Sequence, residues 1–73
     1  MDNYINNIIK ERLRGEIKNS GLTINEIALR TGVSPEMITQ YCTTKKLPKL
    51  DTFQQLCRVL NTSADYILGL SDY

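Results

Sequence analysis

The chain has 73 residues, enough for one domain (residues 1–73) and too few for a large core. Apolar residues make up 41% and charged residues 23%, a balance that excludes an intrinsically disordered segment. Nine Lys and Arg stand against eight Asp and Glu, so a net charge of +1 gives no bulk signal for a polyanion partner.

With only four glycines and two prolines, and with Leu, Ile, Glu, Lys, Arg and Gln recurring, the composition points to an all-α fold. Between residues 4 and 19 the apolar positions Ile5, Ile8, Ile9, Leu13 and Ile17 make one helical stripe. Lys10, Arg14 and Lys18 lie on other faces of that first helix. Gly15 weakens its middle by about 1 kcal/mol relative to Ala. Asn19-Ser20-Gly21 ends it, with Gly21 free to adopt a positive φ.

A second helix starts at once. Thr23 and Glu26 have the capping-box spacing, in which each side chain satisfies an orphan amide of the first turn. That helix runs through Ile27 and Ala28 to about Arg30, and Gly32 terminates it. Ser34 is a good N-cap for a third helix, and Pro35 suits its first position because the missing N–H would be unpaired there. Met37, Ile38 and Tyr41 form its apolar stripe. Residues 43–49 read as a basic loop closed by Pro48. A fourth helix follows from Leu50 or Asp51 to Leu60, burying Phe53, Leu56, Cys57 and Leu60. Ser63 caps a short fifth helix with Tyr66, Ile67 and Leu68, which stops near Gly69. Lys45, Lys46 and Lys49 against Glu36 make residues 34–50 basic. Asp51, Asp65 and Asp72 against Arg58 make the tail acidic.

Helices two and three are joined by a turn of about four residues containing glycine, the helix-turn-helix spacing, here over residues 23–42. Gly32 supplies the backbone angles of the turn, and Ala28 lets the two helices approach. With Ile27, Val33, Ile38 and Tyr41 turned to a shared core, the opposite face of helix three presents Ser34, Pro35, Glu36, Thr39 and Gln40.

The stretch GLTINEIALRTGVSPEMITQY resembles the lambda-repressor-like (Cro/XRE-type) family, whose usual form is GLT-Q-x-E-L-A-x-x-x-G-V-S-x-x-x-I-S-x-(Y/W). Downstream, KKLPKLDTFQQLCRVLNTSADYILG is similar to the family's P-S-L-E-T-L and L-N-V-S-x-D-Y-L-L-G segments, and the two pieces together span about residues 13–70. The resemblance implies a compact five-helix DNA-binding domain with helix three in the major groove of double-stranded DNA. It also implies a homodimer, at least on DNA, reading two half-sites. Carried over by position, Pro35, Glu36 and Gln40 stand where family members contact base edges. Gln40 can pair bidentately with adenine, and Glu36 can accept from cytosine N4 or repel phosphates. Ser34, Thr39, Thr43, Lys45 and Lys46 match or adjoin phosphate-holding positions.

Three departures stand out. The glutamine usual at the start of helix two is Ile24, which removes a common DNA contact. The glutamate usual near the end of helix three is Cys42. The glycine that often follows is Thr44, and a β-branched residue disfavours the left-handed conformation. Either helix three ends differently here, or Lys45 and Lys46 approach DNA from another angle.

Cys42 and Cys57 are isolated thiols in a reducing compartment rather than a CxxC pair, and there is no histidine. No metal, cofactor or small-molecule ligand is implied. No base or activating group accompanies either cysteine, so catalysis is not expected. No apolar run nears the roughly 20 residues of a membrane span, and the N-terminus lacks a signal-peptide pattern, so the expected location is the cytoplasm. No ligand-sensing domain fits in this length. The function expected is a transcriptional repressor of phage or mobile-element type that occupies an operator. Its rival is a protein-interaction module that keeps the scaffold without DNA binding. A DNA binder needs Lys45, Lys46, Arg30 and basic groups of helix one on the side of Gln40; an acidic or apolar reading face marks the rival.

Overall fold

The computed structural model describes residues 4–73; residues 1–3, which begin the single domain expected from the sequence, lie outside the described part. Among the described residues every regular element is helical: α1 (Tyr4–Asn19), α2 (Ile24–Thr31), α3 (Pro35–Thr43), α4 (Leu50–Leu60) and α5 (Ala64–Ile67). The expected all-α, five-helix lambda-repressor-like architecture is thus the observed one.

The helix ends follow from local chemistry. Thr23 accepts from the Glu26 amide at 3.1 Å while the Glu26 carboxylate accepts from the Thr23 amide at 2.9 Å, which completes the capping box. These bonds to Thr23 hold the Glu26 carboxyl below the ordinary carboxylate range. Gly32 closes α2 in the left-handed region (φ 74°), its N–H donating to the Ala28 carbonyl at 2.9 Å. Two residues later the Ser34 hydroxyl accepts from the Met37 amide at 3.1 Å and starts α3. Asn61, at φ 53°, ends α4 in the same left-handed conformation.

Leu13 and Ile17 of α1, Ile27 and Ala28 of α2, Ile38 and Tyr41 of α3, Phe53 and Leu56 of α4, and Ile67 of α5 form one core to which each helix contributes. Cys57, Leu60 and Met37, placed in the core by their periodicity, and Val33 of the turn pack against it half-buried. α3 is held from two sides, by α1 and by α2. The tail is held by Arg12, whose guanidinium donates to the carbonyls of Tyr66 (2.6 Å) and Ser71 (2.8 Å) and stacks 4.3 Å from the centre of the Tyr66 ring.

Candidate nucleic-acid interface

Burial fixes which face of α3 looks outward. Ile38 is 0% and Tyr41 4% exposed, so the helix is pinned by that side. At about 100° per residue, Glu36, Thr39, Gln40 and Thr43 fall within an arc of about 100° on the opposite side. All four are exposed. Ser34 is exposed at the N-cap, and Pro35 is half-buried in the first turn. A nine-residue helix is about 13 Å long, comparable with the roughly 12 Å width of a DNA major groove.

The C-terminal end departs from a glycine cap. Thr44 is extended (φ −123°, ψ −178°), and its N–H and hydroxyl both donate to the Gln40 carbonyl, at 2.9 and 2.7 Å. Thr43 donates its hydroxyl to the Thr39 carbonyl at 3.0 Å. A hydroxyl has one proton to give, so Thr43 donates to a phosphate only by releasing Thr39. Lys10 of α1 then completes the end. Its ammonium donates to the carbonyls of Tyr41 at 2.6 Å, Lys46 at 2.9 Å and Gln40 at 3.5 Å. A cation here satisfies orphan carbonyls and complements the negative end of the helix dipole. Helix three therefore ends differently from a glycine-capped one, and a residue some thirty positions upstream closes it. Nothing local in the sequence marks Lys10 for this role.

Lys45 and Lys46, both exposed, diverge. Lys45 lies over a depression with Asn6, Asn7, Lys10 and Leu47, whereas Lys46 lies beside Met37, Tyr41 and Lys49. On the other side of α3, Cys42 faces α1, with Lys10, Lys18 and Arg14 close enough to act on its thiol. Burial pushes that thiol above its ordinary value, the three cations oppose the shift, and burial likewise raises Cys57. Both are free thiols and protonated at neutral pH. Burial also lowers Lys10, an effect opposed by its closeness to Cys42.

Of the basic groups expected on the side of Gln40, Arg30 is turned elsewhere. Ala28 packs toward α3, and two further residues, at about 100° each, carry Arg30 to the far side of α2. The flank beside Pro35 is apolar instead, formed by Leu29 (85% exposed), Ala28 and Val33 with Asn25 at its edge. Ile24, the departure at the start of α2, packs half-buried against the core. Among the described residues no group of three or more His, Cys, Asp or Glu is placed to hold a metal ion. No helix among them is long and apolar enough to cross a membrane.

Comparison with known proteins bears on this arrangement directly. The family model described as "Helix-turn-helix" matches residues 13–67, spanning the core, the turn and the outward face of α3. A protein of Bacillus subtilis (strain 168), called an uncharacterized HTH-type transcriptional regulator, YobD, is 37% identical over 62 residues. That match takes in 85% of this chain and 55% of the relative, so the chain spans about half the relative's length. No solved structure matches the chain. With most of its length matched by the family model, and with α2, the Gly32 turn and α3 in the matching geometry, the chain belongs to the helix-turn-helix family of Cro/XRE type.

Proposed function

We propose that the protein is a sequence-specific, double-stranded-DNA-binding transcriptional regulator that reads the major groove with α3. The finer reading is a repressor of phage or mobile-element type that acts by occupying its operator. The observation that carries it is the outward arc of Glu36, Thr39, Gln40 and Thr43 on a helix locked at both ends. In this reading Pro35, Glu36 and Gln40 meet base edges, and Ser34, Thr39, Thr43, Lys45 and Lys46 hold phosphates. The similarity to a protein called a transcriptional regulator supports the same reading. A homodimer forms at least on DNA, sealed by Leu70 and Tyr73, which are 75% and 92% exposed beyond α5.

The test is selection from a random-sequence duplex pool at stepped salt, with the bound molecules sequenced. Salt-sensitive retention that enriches a short site supports the reading. For a dimer the site holds two inverted half-sites about 10 base pairs apart, centre to centre. A second reading, the protein-interaction module, is favoured by the exposed Leu29 beside Pro35. Folded protein that retains no duplex even at low salt decides for that module.

A further inference from the structure

A helix in the major groove lies between two walls of phosphates, one from each strand, and phosphate contacts fix its register. One flank of α3 is supplied by the loop after it, where Lys46 and Lys49 lie on the Met37 and Tyr41 side. Measured round the helix at about 100° per residue, Met37 and Cys42 lie about 110° to either side of the outward arc. The second flank is therefore the Cys42 side, and α1 covers it.

On α1, Lys10, Arg14 and Lys18 are spaced by four residues, so they form a ridge that advances about 40° per step, away from the buried stripe of Leu13 and Ile17. The first member is anchored. Lys10 spends its ammonium on the carbonyls of Tyr41 and Lys46, and this fixes the ridge against the C-terminal end of α3. The other two are exposed. Glu16 is turned the other way, lining a depression with Tyr66 and Tyr73. Exposed Glu11, three residues before Arg14, shares the face of the ridge and leaves it a net positive charge. Cys42 lies between ridge and helix and carries no charge at neutral pH, so it does not offset them.

We propose that Arg14 and Lys18 are a second phosphate-binding flank, gripping the DNA backbone on the side of α3 opposite Lys46 and Lys49. The inference rests on the DNA-binding reading and assigns to α1 a contact that the outward face of α3 does not include. It also bears on how a chain of net charge +1 acts on a polyanion: Arg14 and Lys18 add positive charge on the side of α3 away from Lys46 and Lys49.

The test compares the full chain with the Arg14→Gln, Lys18→Gln double variant on a duplex from the selection above and on a random duplex, each from 50 to 200 mM salt. Each lost phosphate contact lowers the log–log salt slope by about 0.9, so the double variant should lose about tenfold less affinity than the wild type over that range. Its affinity at low salt should fall on both duplexes alike. Arg58→Gln removes one charge from the last turn of α4 and should leave the slope unchanged. A wild-type slope in the double variant overturns the second flank while leaving the DNA reading intact. A slope change in Arg58→Gln equal to that of Lys18→Gln also overturns it, as a net-charge effect. Absence of duplex binding by the wild type overturns both. Thermal melting of each variant checks the fold, and Lys18→Gln alone, expected to lose half the slope change, serves if the pair does not fold.

Discussion

Lys10 shows how one side chain can do the work a glycine does elsewhere. A helix that ends in an extended residue leaves its last carbonyls without the amides of a left-handed cap. Here the Thr44 hydroxyl and the Lys10 ammonium take their place. Hydrogen bonds to a charged group contribute about 1.5–3 kcal/mol, less where water competes, and Lys10 is half-exposed. Lys10→Met should therefore lower stability by about 1–2 kcal/mol, read as a lower urea midpoint at unchanged slope. An unchanged midpoint would mean that water serves those carbonyls equally well. The role was not legible in the sequence for a definite reason: the partners, Tyr41 and Lys46, are 31 and 36 positions away. Periodicity marks Lys10 only as a polar position on α1. Arg12 escapes notice in the same way, since Tyr66 and Ser71 are brought to it by the packing of α5 against α1.

The helices, by contrast, were legible nearly to the residue. Four boundaries are written within four positions of themselves: Thr23 with Glu26, Ser34 with Pro35, Ser63 with the Tyr66 amide, Gly32 after Thr31. Where the reading was less sharp, as for Met37 and Cys57, the period of 3.6 gave the side but not the depth. The turn between α2 and α3 depends on Gly32 for backbone reasons alone. A Cβ there would meet nothing within 4 Å, so a substitution suffers only the strain of φ 74°. Gly32→Ala should destabilise the fold by about 1–2 kcal/mol, and Gly32→Asn by less, because asparagine tolerates the left-handed region. Equal urea midpoints for wild type and Gly32→Ala would show that the turn relaxes to another conformation. Since the turn sets the angle of α3 against α2, the same variant should also weaken binding to a selected site more than binding to random duplex.

At the scale of the molecule, function rests on how little of the surface is committed to it. The core fixes one side of α3, the caps fix its ends, and what remains outward is a short arc bounded by Thr39 and Gln40. Basic side chains stand to either side of that arc, whereas its N-terminal end meets the apolar flank of Leu29 and Pro35. Linear charge runs could show the loop lysines. They could not show that Arg30 turns away or that α1 supplies the other flank, because both depend on how the helices pack. Function in this reading depends on the outward face of α3 distinguishing bases. The direct measurement is the affinity of wild type and Gln40→Ala for a selected duplex and for a random one, at the same salt. A loss of about 1–3 kcal/mol is expected on the selected duplex and little on the random one. An equal loss on both, or none on either, would contradict it.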